Sequence, residues 1–181
     1  MKKEMVVYFS RTGNNKYLAE KIISSLGCDA EAIRPRMNLF LFLLLFSSLK
    51  GGPGIRKLKH PVEEYERVIL CGPVWMGMLV APLRSLIKKY GKKINRLVFV
   101  CCCASTYDKK DDKFGHGHVF REVEILMDGR CQLCQAFPVG LVLPEDKRED
   151  PEAVMQVRLS DENFTGEILD RYKKFIKTLQ E

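Results

Sequence analysis

Residues 5 to 18 read MVVYFSRTGNNKYL, which joins an apolar run, a polar loop and an amphipathic segment. Met5 to Phe9 is an apolar, β-prone run, which predicts a strand buried on both faces. The polar residues Ser10 to Asn15 end the strand, and apolar residues at helical spacing then predict an amphipathic helix. A strand, a loop and a helix in this order aim backbone N–H groups and the positive end of a helix dipole at one point, which suits a phosphate group.

Two interpretations of this loop stay open on its residues alone. Ser10 and Thr12 supply hydroxyl donors, and Gly13 lets the backbone approach an anion closely. The same residue types also form ordinary N-caps and turns that hold no ligand. The loop is not a Walker loop, which needs a Lys-Ser/Thr pair after its second glycine, and it is not a G-x-G-x-x-G dinucleotide turn.

Strand-like and helix-like segments alternate along the rest of the chain. Five such alternations predict an α/β protein, a single three-layer αβα domain over residues 1–181 with a five-stranded parallel sheet. The four further predicted strands are Cys28–Ile33, Glu66–Cys71, Leu97–Cys102 and Cys131–Val139. The four further predicted helices are Met37–Leu49, Leu83–Tyr90, a segment around His118–Met127, and Phe164–Leu179.

The most apolar stretch is LFLFLLLF at Leu39 to Phe46. Met37 to Leu49 contains no β-branched residue, which favours a helix. The helix is apolar all round, which predicts burial on more than one side. Two roles stay open, core packing and an apolar wall beside a ligand or partner site. The stretch is far shorter than the ~20 residues that span a bilayer.

The composition is that of a globular protein with a sizeable core, with 46% hydrophobic and 29% charged residues in 181. The net charge is +7, but the basic residues are scattered and do not alternate with aromatic ones. A solvated basic surface is therefore favoured, and no nucleic-acid partner is expected. The N-terminus lacks the apolar core of a signal peptide, so we expect a cytoplasmic protein with no membrane span.

The chain has seven cysteines, which in a cytosolic protein are expected to be reduced thiols acting as small core residues. Cys131-x-x-Cys134 is also the pattern of a redox dithiol or of half a metal site, which Cys101 to Cys103 could complete. In a regular strand, residues three apart point to opposite faces, which favours the core interpretation. The roles of these five cysteines stay open.

Neither a catalytic residue nor a metal ligand is indicated by the remaining polar residues. His116-Gly117-His118 lies beside Asp111 and Asp112, and a solvated loop before a helix is favoured there over a metal patch. No serine, histidine and acid arrangement and no pair of catalytic carboxylates emerges from the sequence.

Unusual loops follow the first, third and fourth predicted strands. The carboxyl ends of parallel strands meet at one edge of a sheet, so these loops are expected to converge there. The loop Gly72 to Met78 carries the only tryptophan of the chain, and the loop Cys103 to Asp108 carries small and hydroxyl-bearing residues with one aromatic. A loop tryptophan is costly to leave in water, so Trp75 is expected to cover either the core or a flat ligand.

These three loops resemble those of the flavodoxin family. SRTGNN at Ser10–Asn15 is similar to its phosphate loop, S/T-x-T-G-N-T, and GPVWMG at Gly72–Gly77 resembles its second loop, G-x-P-x-W-x-G. CCASTY at Cys102–Tyr107 is similar to its third loop, and the apolar segment before Gly51-Gly52 resembles a helix of a short-chain branch. The resemblance covers nearly the whole chain. It implies a flavodoxin-like fold with strand order 2-1-3-4-5.

The resemblance also implies an FMN site, carried over position by position. The residues implied to bind the FMN phosphate are Ser10, Thr12, Gly13, Asn14 and Asn15. The residues implied to line one face and edge of the flavin ring are Pro73, Val74, Trp75, Met76 and Gly77. The third loop is implied to contribute Cys103, Ala104, Ser105 and Tyr107.

The implied function is electron transfer between redox protein partners, by a monomer or homodimer whose basic surface favours acidic partners. Two alternatives stay open. One is an FMN-dependent reductase of quinones or other small acceptors, in which the apolar segment Leu39 to Phe46 walls a pocket. The other is a flavodoxin-fold protein that has lost the flavin.

Three departures from the family pattern bear on these expectations. Asn15 replaces a threonine, which removes one hydroxyl contact while leaving an amide that can donate. The third loop carries cysteines where glycine or a hydroxyl residue is common. Electron-carrier flavodoxins are typically acidic, whereas this chain is basic, so we predict a less negative reduction potential than that of a typical acidic flavodoxin.

Overall fold

A computed structural model describes residues 3–104 and 115–181 of the chain. Five parallel strands form one sheet in the order β2-β1-β3-β6-β7, and a small antiparallel hairpin, β4 with β5, follows β3. Counted along the sheet strands alone, this is the predicted order 2-1-3-4-5, and the predicted α/β class is confirmed. The strands are β1 Glu4–Tyr8, β2 Asp29–Ala32, β3 Arg67–Cys71, β4 Val74–Trp75, β5 Met78–Leu79, β6 Leu97–Cys103 and β7 Cys131–Pro138.

Helices cover both faces of the sheet. Met5 and Val7 of β1 point to a core shared with α2, α3 and α4, and Val6 between them points to a core shared with α1 and α6. This alternation places buried side chains on both faces of every central strand, which explains the continuous apolar runs. The helices are α1 Asn14–Leu26, α2 Phe40–Ser48, α3 Ala81–Tyr90, α4 His116–Met127, α5 Pro151–Gln156 and α6 Gly166–Gln180.

Helix α5 has no counterpart among the predicted elements. Its N-cap is Asp150, whose carboxylate accepts hydrogen bonds from the backbone N–H groups of Glu152 (2.9 Å) and Ala153 (3.4 Å). Pro151 at the first helical position is preset for a helix. The helix has only six residues and buries Val154 alone, so hydrophobic periodicity could not have indicated it.

Helix α2 forms where it was predicted, but its predicted burial on more than one side is wrong. Leu43 is 1% exposed, whereas Leu41 is 76% and Leu49 is 67% exposed. The helix packs a single stripe against α3. Within that stripe the Ser47 hydroxyl accepts a hydrogen bond from the Ala81 N–H (2.9 Å), and the Ser47 carbonyl accepts one from the Arg84 guanidinium (3.1 Å).

Strand β7 contains a bulge at its amino end. Leu97 of β6 pairs with Cys131, and the next residue, Val98, pairs with Leu133, so Gln132 is an extra residue in the ladder. Such a bulge shifts the alternation of side chains by one position. Cys131 and Cys134 therefore both face the core shared with α4, rather than opposite faces as a regular strand would place them.

Within residues 3–104 and 115–181, no helix is both long and apolar enough to cross a membrane.

Candidate functional site

The loop after β1 leads directly into the N-terminus of α1. Gly13 lies in the left-handed region (φ 102°), and its N–H donates to the Ser10 hydroxyl (3.2 Å). The first hydrogen bond of the helix runs from the Tyr17 N–H to the Gly13 carbonyl (2.9 Å). The N–H groups of residues 14 to 16 precede that bond and lie at the positive end of the helix dipole, where an anion is stabilised.

The side chains of Asn14 and Asn15 point into the protein. The Asn14 amide donates to the Val157 carbonyl (3.0 Å), and its oxygen accepts from the Leu159 N–H (2.9 Å). The Asn15 side-chain oxygen accepts from the Cys102 N–H (2.9 Å). Both residues are buried, at 7% and 3% exposure, and their side chains are bound by other segments of the chain. Their predicted contact with phosphate would be made by N–H groups.

A cleft of about 550 Å³ opens beside this loop. Two of its lining residues are arginines, Arg11 and Arg158. Arg11 lies over the ring of Phe40 at 4.7 Å, and Arg158 donates to the Val157 carbonyl at 2.8 Å. The lining residues are Phe9, Ser10, Arg11, Thr12, Asn38 and Arg158.

Arg158 was not among the predicted site residues. It lies far from the loop in sequence and carries no motif of its own. The two hydrogen bonds of the Asn14 side chain to Val157 and Leu159 hold its segment against the loop. A buried asparagine at the start of a helix is the only local signal that another segment would bind there.

Trp75 ends β4 and lies in a hairpin at the same edge of the sheet. The turn contains Met76 (φ 47°) and Gly77 (φ 69°), both in the left-handed region. The indole makes edge-on contacts with Phe9 (6.3 Å between centroids) and Phe40 (5.3 Å), and it is half-buried. Trp75 therefore covers the core with one part of its surface and leaves the other part accessible.

Hydrogen bonds tie the three strand ends together. The Phe9 N–H donates to the Cys71 carbonyl (2.9 Å), which joins β1 to β3. The bond from Cys102 to Asn15 joins the end of β6 to the start of α1. The predicted convergence of the loops is thus present as far as Ala104, which is exposed, while Cys103 is buried. Ser105 and Tyr107 lie outside the described residues.

Cys103 and His116 form a buried pair behind this edge. The Cys103 sulfur lies 3.6 Å from Nδ1 of His116, and both residues are at most 5% exposed. Hydrogen bonding from Cys101, and to a smaller extent from His116, lowers the pKa of the Cys103 thiol against the opposing effect of burial. The predicted solvated loop is wrong for His116, because the first turn of α4 begins there and packs the imidazole against Phe120.

Among residues 3–104 and 115–181, no group of three or more histidine, cysteine or acidic side chains is arranged to hold a metal ion.

Solved structures with the same architecture include flavoproteins. A flavoprotein from Lactobacillus acidophilus in complex with FMN superposes with a TM-score of 0.62 at 18% identity, over 75% of this chain and 93% of that one. A flavodoxin from Streptococcus pneumoniae TIGR4 superposes with a TM-score of 0.50 at 14% identity, over 98% of this chain and 97% of that one.

An NAD(P)H:quinone oxidoreductase from Methanothermobacter marburgensis superposes with a TM-score of 0.51 at 15% identity, over 100% of this chain and 98% of that one. No protein-family model and no curated protein matches the sequence. At these identities the likeness concerns architecture. The chain has the flavodoxin-like fold, as its three loops and its strand order indicated.

Proposed function

We propose that the protein binds FMN at the carboxyl edge of its sheet and transfers electrons between redox protein partners. The observation that carries this proposal is the cleft beside residues 10 to 13, which opens at the same edge of the sheet as the half-buried Trp75. An anion site and a flat aromatic surface at one edge are what a phosphorylated planar cofactor requires. The flavoproteins that share the fold support FMN as the cofactor of this proposal.

The phosphate end of FMN fits the loop after β1. Ser10 and Thr12 carry hydroxyl groups, and the N–H groups of residues 14 to 16 lie at the helix start. Arg11 and Arg158 line the same cleft and could turn their guanidinium groups to the phosphate. Charge-assisted hydrogen bonds from such groups suit a dianionic phosphate with no metal ion.

The flavin ring would lie against the hairpin of Trp75. Pro73, Val74, Met76 and Gly77 belong to the same loop and hairpin as Trp75, and Cys103 ends β6, with Ala104 directly after it. When bound, FMN supplies the electron transfer, and the protein supplies its orientation and its electrostatic surroundings. Ser105 and Tyr107 complete the proposed set.

The surface around Trp75 suits contact with another protein. Met76, at the tip of the hairpin, is 61% exposed, so a partner could approach the cofactor there. The net charge of +7 would attract an acidic partner and speed its association.

Fluorescence of Trp75, the only tryptophan, provides a direct test of FMN binding. We expect FMN to quench the emission of the apoprotein and to bind more tightly than riboflavin, which lacks the phosphate. Arg158→Ala should weaken FMN binding by about 10- to 100-fold, since it removes one charged hydrogen-bond donor. Riboflavin binding should be unchanged in this variant.

The matched control is Lys173→Ala, which removes one positive charge from an exposed position on α6. It should leave FMN affinity unchanged. Equal affinities for FMN and riboflavin in the wild type would contradict the phosphate site. A purified protein that is colourless and does not bind added FMN would favour the alternative in which the fold has lost its flavin.

One observation favours a second candidate function, FMN-dependent reduction of quinones. Phe40 contacts Trp75, and from it the exposed side chains of α2 extend an apolar band that could hold a quinone ring. Steady-state oxidation of NADH or NADPH with a soluble quinone would support this function. Electron delivery to a redox protein without such turnover would support the first. The exposed residues of this band are Leu39, Phe40, Leu41, Phe42, Leu45 and Leu49.

The reduction potential of bound FMN tests the effect of charge. Positive surroundings favour the anionic reduced cofactor, so we expect a less negative potential than that of an acidic flavodoxin at matched pH and salt. The difference should shrink as salt screens the surface charges. An equal or more negative potential in a redox titration would contradict the expectation.

A further inference from the structure

We propose that Cys131 and Cys134 are a redox-active dithiol, which closes to a disulfide by exchange with small-molecule disulfides such as oxidised glutathione. The two sulfur atoms lie 3.5 Å apart. This proposal does not rest on FMN binding, because the dithiol lies at the amino end of β7 and the proposed FMN site at the carboxyl ends of the strands.

The bulge at Gln132 creates the dithiol. In an unbroken strand the two cysteines would point to opposite faces, and their sulfur atoms could not meet. Because Gln132 is an extra residue, Cys131 and Cys134 pack on one face together with Leu97 and Phe99, while Leu133 packs on the other face. The C-x-x-C spacing and the bulge are both needed for this contact.

Both thiols are accessible to a small reagent. Cys131 and Cys134 are partly exposed, and β7 is an edge strand of the sheet. Edge strands are bound on one side only, so closing the remaining gap between the sulfur atoms disturbs few hydrogen bonds. Cys71, Cys101 and Cys102, by contrast, are at most 5% exposed.

The electrostatics distinguish an attacking thiol from a resolving thiol. A hydrogen bond from Cys134 lowers the pKa of Cys131, and the same interaction raises the pKa of Cys134. Burial raises both pKa values by a smaller amount, and the nearby carboxylate of Glu124 raises them by less still. Cys131 is also the first residue of β7, whereas Cys134 pairs with the buried Phe99 inside the ladder, so we assign Cys131 as the thiolate that attacks first.

The exchange has two balanced steps. First, the Cys131 thiolate attacks one sulfur of the small disulfide, whose S–S bond breaks, and one small thiolate leaves and takes up a proton. Next, Cys134 loses its proton to solvent and attacks the Cys131 sulfur, which expels the second small thiolate. The two protein sulfur atoms lose two electrons, and the small disulfide becomes two thiols.

Tryptic digestion of the full-length protein shows whether the two cysteines are free thiols or a disulfide. Cleavage after Arg130 and Lys147 releases one peptide, CQLCQAFPVGLVLPEDK, that contains these two cysteines and no others. After equilibration with oxidised glutathione and alkylation under denaturing conditions, we expect this peptide to lose both alkylation sites. Its mass should fall by two hydrogen atoms relative to the reduced peptide, and dithiothreitol should reverse the change.

Single variants separate the two roles. Cys134→Ser should retain glutathione on Cys131, because the resolving thiol is gone, and Cys131→Ser should form its adduct more slowly. Cys28→Ser is the matched control, since burial and then Glu4 raise the pKa of this isolated thiol to about 11. It should leave the disulfide unchanged.

The wild-type peptide decides the question even if a variant fails to fold. The proposal is overturned if both of its cysteines are still alkylated at equilibrium, or if Cys131 retains glutathione in the presence of Cys134.

Discussion

Strand β6 and helix α2 are two of the most apolar segments of the chain, but β6 is buried and α2 is largely exposed. All seven residues of β6, LVFVCCC, are buried. Of the nine residues of α2, FLFLLLFSS, only Leu43 and Ser47 are buried. β6 lies between β3 and β7 inside the sheet, with helices on both of its faces. α2 packs against α3 and the β4–β5 hairpin, and most of its remaining surface is exposed.

This difference shows that apolar composition predicts burial only where other helices or strands pack against the segment. A central strand of a parallel sheet is covered on both faces by its own connections, so every side chain enters a core. A helix buries one stripe, and residues beyond that stripe stay exposed unless another element or a partner covers them. A contiguous apolar surface of this kind is typical of interaction sites.

The largest effect is expected from β6. Phe99→Ala should lower the free energy of unfolding by about 3–5 kcal/mol, because Phe99 is fully buried and its removal leaves a cavity. Urea denaturation monitored by circular dichroism measures the change. A loss below about 1 kcal/mol, the typical value for surface changes, would mean that the core around β6 is loosely packed.

The buried stripe of α2 should rank second. Leu43→Ala is expected to cost about 2–5 kcal/mol, since Leu43 is 1% exposed and belongs to the core shared with α3 and α4. The same denaturation experiment applies. An unchanged midpoint would show that α2 is detached from the domain in solution.

A smaller loss is expected from the hydrogen bonds that hold this stripe. Ser47→Ala removes the acceptor of the buried Ala81 N–H and should cost about 1–3 kcal/mol. Ser48→Ala is the matched control, because the Ser48 hydroxyl is exposed and bonds only within its own helix. Similar losses for both variants would contradict a specific role for Ser47.

The smallest effect is expected on the outer face of α2. Leu41→Ala should change the free energy of unfolding by no more than about 0.5 kcal/mol, because Leu41 is 76% exposed only two residues from Leu43. A loss as large as that of Leu43→Ala would contradict the conclusion that Leu41 and Leu43 differ in burial. It would indicate that a second copy covers α2 in solution, which sedimentation of Leu41→Lys would then reveal as a change of mass.

Much of the fold followed from local sequence patterns. The runs at Met5–Phe9, Glu66–Cys71 and Leu97–Cys102 became strands within one or two residues of their predicted ends. Buried strands and amphipathic helices have periodicities that reading along the chain detects. Helix α5 was missed because six residues with one buried side chain show no period.

The candidate site was predictable where its loops carry unusual residues. Ser10 to Gly13 and Trp75 were found in this way, and both lie at the predicted edge of the sheet. Arg158 was not found, because its segment reaches the loop only through hydrogen bonds with Asn14, which is distant in sequence. Phe40 belongs to the apolar segment Leu39 to Phe46, for which a pocket wall was one expected role, but its contact with Trp75 was not predicted. An arginine in a charged segment and a phenylalanine in an apolar segment carry no local sequence signal for the contacts that they make at the site.

Local sequence patterns were enough to predict the alternation of the five sheet strands with the longer helices, and with it the parallel sheet whose strand ends meet at one edge. These features depend on interactions within short segments and on the handed connections between parallel strands. Three features came from the folded arrangement instead: the exposure of α2, the position of Arg158 beside residues 10 to 12, and the bulge that brings Cys131 to Cys134. Each of these depends on which distant residues occupy the adjacent space, and no local pattern encodes that.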